Sequence, residues 1–79
     1  MSVRYIEKQD YHAISMSADH WDATDGANGE RIYTVKAGVA DATVGVEFSA
    51  TESQEHNGLK TGSSVTRHKD GSVTIKEQK

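Results

Sequence analysis

The chain contains no cysteine and no proline. Without thiols there is no disulfide to brace a small fold and no thiolate to hold a metal. Without proline every backbone N–H can donate, so no segment is barred from the interior of a sheet. Large apolar side chains are also scarce, with one Trp, one Phe, two Met and the single Leu59. No apolar run approaches the roughly 20 residues of a membrane-spanning helix, and residues 1–8 lack the apolar centre of a secretion signal. A cytoplasmic protein that does not engage a membrane is therefore expected.

What is present favours strands. Val, Ile and Thr number seven, four and seven in 79 residues. Branching at Cβ restricts rotamers in a helix but suits a pleated surface. So short a chain makes one domain, residues 1–79, near the lower size limit for independent folding. A net charge of −3 is too small for the combination of low hydrophobicity and high charge that marks disorder. The thin apolar supply makes a homodimer, formed through a free sheet edge, an expected means of added stability.

The strongest local signal is C-terminal. Residues 64–68 and 72–77 are β-branched runs flanking Lys69-Asp70-Gly71. A two-residue turn at Asp70-Gly71 would divide the apolar residues between two faces. A three-residue loop, with Gly71 in the left-handed region, gathers Val65, Arg67, Val73 and Ile75 on one face. Register follows burial, so the longer loop is expected, with His68, Thr74 and Lys76 facing outward. The last strand, ending at Lys79, is then expected to be a free edge.

Upstream, residues 43–50 alternate cleanly: Val44, Val46, Phe48 and Ala50 on one parity, Thr43, Gly45, Glu47 and Ser49 on the other. Gly45 inside this strand suggests a bulge or a close neighbour. Residues 31–37 read as a second strand, expected to pair with 43–50 across a short connection. Residues 2–7 are a weaker strand candidate. Residues 10–25 fit a strand better than a helix, because Ser15, Ser17, Asp19, His20 and Asp22 are poor helix formers. Residues 25–29 then form a hairpin loop. Residues 54–63 read as loop, broken by Asn57-Gly58 and Gly62. The expected fold is all-β, a small antiparallel β-meander closed by the C-terminal hairpin. The alternative is α+β, with one helix at about residues 10–24 packed on the sheet.

No motif carries chemistry of comparable strength. His20 and Asp22, two apart on a strand, could share an ion with Asp25, Asn28 or Glu30, but the spacing does not match a calcium loop. In the 58–64 segment the lysine precedes the second glycine, the reverse of a phosphate-binding loop. There is no activated-serine motif, and a chain this short rarely builds a pocket of several hundred Å³. No enzyme activity, cofactor or metal is expected.

Charge is segregated. Residues 1–59 hold ten acids and four bases, and residues 60–79 hold two acids and five bases. Asp19, Trp21, Asp22, Asp25 and Glu30 form an acidic segment without Lys or Arg, and Trp is the residue type most enriched at binding hot spots. The expected function is a non-enzymatic module that binds a protein, of the kind a phage or mobile element encodes to inhibit a larger host assembly. The alternative is nucleic-acid binding through Lys60, His68, Lys69 and Lys76, together with Arg67 and Lys79, although stacking aromatics are missing from that segment.

Overall fold

A computed structural model describes residues 2–78. Among these residues the chain forms eight strands and one 3-10 turn at Lys8–Asp10. The strands are β1 (Ser2–Ile6), β2 (Tyr11–Met16), β3 (Trp21–Asp25), β4 (Arg31–Val35), β5 (Ala42–Phe48), β6 (Gln54–Leu59), β7 (Ser64–Arg67) and β8 (Val73–Glu77). All strand pairings are antiparallel, in two sheets ordered β1-β8-β7-β4-β3 and β2-β5-β6. The fold is all-β. No α-helix occupies residues 10–24; beyond the 3-10 turn that ends at Asp10, β2 and β3 lie there, joined by a turn in which Asp19 takes φ 64°, a conformation aspartate tolerates better than most residues.

The core sits between the sheets. Ile6, Val35, Val65, Val73 and Ile75 of the five-stranded sheet meet Ala42, Val44, Val46 and Leu59 of the three-stranded sheet, all of them buried. Tyr11, Ile14, Met16, Trp21, Tyr33, Val39 and Phe48 pack around this centre while keeping some exposure. The burial pattern of β5 is the period-two alternation of its sequence. Gly45 is a close approach rather than a bulge, since a Cβ there would stand 3.0 Å from Ser15 Oγ.

The C-terminal hairpin adopts the three-residue loop. Val65 lies opposite Ile75 and Arg67 opposite Val73. The loop closes with His68 N donating to Ser72 O at 2.8 Å and Gly71 N to His68 O at 2.9 Å, Gly71 having φ 94°. The Tyr11 hydroxyl donates to the Gly71 carbonyl and ties this loop to the other sheet.

Three expectations need correction. Strands β4 and β5 do not pair: β4 is flanked by β3 and β7, and β5 by β2 and β6. Residues 36–41 instead carry the chain between sheets, so that Val44 and Val46 cover the buried valines of the larger sheet rather than extending it. Residues 54–59 are strand β6, not loop. One extra residue is accommodated where Ala42 faces Leu59 and Val44 faces His56, with Gly58 at φ 69°. Burial of Leu59 outweighs the polar composition around it. Finally, β8 is not an edge, because β1 pairs with it from Ser2↔Glu77 to Ile6↔Val73. Lys79, named as its end, lies outside the described residues.

Gly71→Ala forces a Cβ into positive φ and against the Lys8 side chain, and should cost about 1–2 kcal/mol. Asp70→Ala removes two partly buried hydrogen bonds to Ser72 without straining the backbone and should cost less. Urea denaturation of both variants tests the loop geometry; equal effects would contradict it.

Candidate functional site

The acidic segment lies on β3 and its two ends. β3 is an edge of the five-stranded sheet, paired with β4 alone from Trp21↔Val35 to Asp25↔Arg31. Asp19, in the preceding turn, and Asp22, on the outer side of the strand, are both exposed. Asp25 is exposed and forms an ion pair with Arg31 at 3.0 Å. Hydrogen bonding to Tyr33 first, and to Asp25 second, holds Arg31 more firmly in its charged form. Glu30 is half-buried where its side chain lies over Gly26, and its carbonyl accepts from Gly26 N at 2.8 Å. The strand therefore brings Asp19, Asp22 and Asp25 together along one edge, while Glu30 closes the β3–β4 turn.

Trp21 is half-buried against the core, and its Nε1 donates to Ser17 Oγ at 3.3 Å. The same oxygen accepts from Thr43 N at 3.1 Å and lies 3.0 Å from His20 Nδ1. With both lone pairs engaged by N–H donors, the Ser17 proton is directed to His20. One hydroxyl thus joins β2, β3 and β5. It is a poor nucleophile despite its histidine neighbour, because its lone pairs are committed. His20 is consequently used in the corner, while Asp22 projects from the outer face. Among the described residues, no group of three or more His, Cys, Asp or Glu side chains is placed to hold a metal.

The basic candidates are dispersed. Lys60 follows β6, where its N–H donates to Gln78 O at 2.8 Å. Lys69 is at the far end of the sheet, its stem beside Gly29. Lys76 is exposed on the outer face of β8, and half-buried His68 contacts Thr74 Oγ1 at 2.7 Å. Chain pairing adds a residue that the basic segment itself lacks: Tyr5 of β1, 57 % exposed, with its ring centroid 6.3 Å from that of His68. Its only sequence signal is the alternation of Val3 and Tyr5 with Arg4 and Ile6.

Sequence reasoning also passed over His56 and Glu77. They come from different sheets and meet between them, His56 Nδ1 lying 3.0 Å from Glu77 Oε1 with both side chains 13 % exposed. Ser2 Oγ donates to the other Glu77 oxygen at 3.0 Å. An ionised carboxylate can only accept, so Nδ1 carries the proton of that bond. Nε2 is buried and has no hydrogen-bond partner among the described residues. This pair is an inter-sheet tie at the end of the core.

The surface is dented rather than hollow. Depressions of about 300 Å³ (Tyr5, Glu7, Lys8, Gln9, Asp70, Ser72) and 290 Å³ (Arg4, Gln9, Asp10, Phe48 and the following residues 49–51) flank the 3-10 turn. In the second, the Arg4 guanidinium sits 5.2 Å from the centre of the Phe48 ring. No helix among the described residues is long and apolar enough to cross a membrane. No protein-family model, curated protein or solved structure matches the chain.

Two outcomes follow from the polar ties. His56→Ala should cost roughly 1–3 kcal/mol by leaving the carboxylate short of a donor, whereas Glu55→Ala on the exposed side of β6 should change stability by about 0.5 kcal/mol or less; thermal or urea melts distinguish them. Asp70 is held below the ordinary aspartate range, first by the Ser72 hydroxyl and then by the Ser72 N–H, at 2.6 and 2.9 Å. A depressed folded value means stability that is present above the unfolded value, about 3.9, and lost as pH falls through the folded one. The stability difference between the wild type and Asp70→Asn should therefore shrink below about pH 4 in urea melts across the acid range.

Proposed function

We propose that the protein is a non-enzymatic binding module that presents β3 and its flanking turn to a basic surface on a protein partner. The observation that carries this reading is the sheet edge itself: β3 has a strand neighbour on one side, and Asp19, Asp22 and Asp25 line it without an intervening Lys or Arg. An unpaired edge offers backbone donors and acceptors to another strand. Self-association there is opposed, because an antiparallel pairing of β3 with its own copy would bring the exposed Asp19 and Asp22 of both copies to one seam, Asp25 being paired with Arg31. Charge therefore discriminates against a second copy and in favour of a cationic partner. Trp21, fixed by Ser17, contributes its remaining exposed surface at the start of that edge.

The engaged lone pairs of Ser17 and the shallow, open depressions support a binding role over catalysis. Occupying a basic surface would block whatever that surface normally holds. An inhibitor of a larger protein or assembly, of the anti-defence kind, is the form of this reading to which the small size and acidic character lend support.

Nucleic-acid binding is the second reading, and one observation favours it: Tyr5 stands exposed beside His68 on the face that also carries Lys76. The dispersal of Lys60 and Lys69 to opposite ends of the molecule counts against it.

Affinity capture from a lysate of the native cell or host, with immobilised wild-type protein, tests the first reading. One stoichiometric partner should be recovered, and Asp19→Asn/Asp22→Asn should weaken its retention at least fivefold at low salt while melting like the wild type. Asparagine tolerates the left-handed conformation at position 19, so the pair alters charge with little strain. Retention unchanged by the double substitution contradicts the β3 assignment. Retention of single-stranded oligonucleotide that falls steeply with salt would establish the second reading instead.

A further inference from the structure

The outer face of the five-stranded sheet has no covering layer among the described residues, and its registers align two rows across all five strands. One row runs Val3, Lys76, Ser64, Thr34, Asp22; the next runs Tyr5, Thr74, Thr66, Ile32, Thr24. The two large apolar side chains most exposed among the described residues, Val3 at 61 % and Tyr5 at 57 %, both stand here, on β1. Across the ten positions the charged residues are Lys76 and Asp22, in the same row and toward opposite sides of the sheet. The rest of the face consists of Ser and Thr, with Ile32 half-buried among them.

We propose that this face packs against the same face of a second copy, through a two-fold axis lying along β7 in the plane of the interface. That operation places β1 and β8 of one copy over β3 and β4 of the other while keeping each row opposite itself. Lys76 then comes within one strand spacing of the partner's Asp22, and by symmetry the contact occurs twice. Thr74 faces the partner's Ile32, and Tyr5 faces the partner's Thr24, whose methyl group offers apolar contact. A two-fold axis perpendicular to the strands would oppose one row to the other and separate the charges, so charge complementarity selects the first arrangement.

Five strands about 4.8 Å apart and five residues long span roughly 24 by 17 Å, or about 400 Å² per copy. A total near 800 Å² is at the weak, transient end of specific interfaces, below about 1,200 Å². Association should therefore depend on concentration and fall with salt. The proposal shares Asp22 with the β3 edge reading, whereas Val3, Tyr5 and Lys76 lie away from that edge, on β1 and β8, and distinguish the two.

Sedimentation velocity of the full chain, from micromolar to millimolar at low salt, tests it. A reversible monomer–dimer equilibrium is expected. Lys76→Asp and Asp22→Lys should each weaken it about tenfold, and the double exchange should restore it to within about threefold. Tyr5→Lys should leave a monomer. All three positions are surface-exposed, and matched thermal melts show that each variant remains folded. A monomer throughout the range overturns the proposal, as does a dimer indifferent to the charge reversals or a double exchange that fails to restore association. Oligonucleotide retention that is lost in Tyr5→Lys, with the protein monomeric at every concentration, overturns it in favour of nucleic acid on the same face.

Discussion

Burial of a few branched side chains between two sheets is the constraint on which the rest of the structure depends. Val44 and Val46 of β5 are opposed by Val65, Val73 and Ile75, with Leu59 and Ile6 completing the middle. Valine is short, so the two layers must approach closely and in one register for the contacts to form. Each such side chain contributes on the order of 1.5–3 kcal/mol when fully removed from water, against a conformational entropy cost that offsets most of the total. A core of this size leaves little surplus, and polar ties at its margins therefore matter more than they would in a larger domain.

Those ties occupy the places where the chain changes sheet. Ser17 Oγ holds the β2–β3 corner through Thr43 and Trp21. Ser63, fully buried, exchanges two hydrogen bonds with the Gln78 backbone, donating at 3.1 Å and accepting at 2.8 Å. His56 and Glu77 meet across the layers, and Tyr11 reaches the β7–β8 loop. Each pairs polar groups partly or wholly withdrawn from water at the margins of the sheets, where ladder bonding ends. A serine at such a corner is as structural as a valine in the centre.

This division explains what could be read in advance. The register of the C-terminal hairpin was legible because its apolar residues agree on one face only with the longer loop. The alternation of 43–50 was legible for the same reason, although the strand runs from Ala42 to Phe48 and Ala50 lies beyond it, exposed. Strand β6 was not legible, because five of its six residues are polar or glycine, and only Leu59 and the inward-facing His56 anchor it. The partition into two sheets was equally hidden: β4 and β5 are near in sequence, and nothing local distinguishes a hairpin from a crossover. For the acidic segment, proximity in sequence became proximity on one edge because a strand keeps it extended. The basic residues were also close in sequence, yet a hairpin sends Lys69 to one end of the sheet and Lys60 to the other. The aromatic neighbour of His68 comes from β1, more than sixty positions away, where no local pattern could reveal it.

Charge and exposure divide the surface along the same lines. The β3 edge bears three carboxylates, one of them paired with Arg31, and self-pairing there would set the other two against like charge, while the opposite edge, β1, carries Arg4, which an antiparallel self-pairing centred on that residue would set against its own copy. Both edges of the larger sheet thus disfavour the simplest edge-to-edge growth, the hazard that any open sheet must manage. The broad outer face is different, being nearly uncharged, with its two charges of opposite sign placed on either side of the sheet. An edge that rejects itself and a face that complements itself are separate properties, and they direct association to different places. Single substitutions on β3 other than Asp22 and Thr24 should therefore leave self-association intact, just as substitutions at Tyr5 should leave the acidic edge competent, because the sheet that connects them is held by a core that neither surface enters.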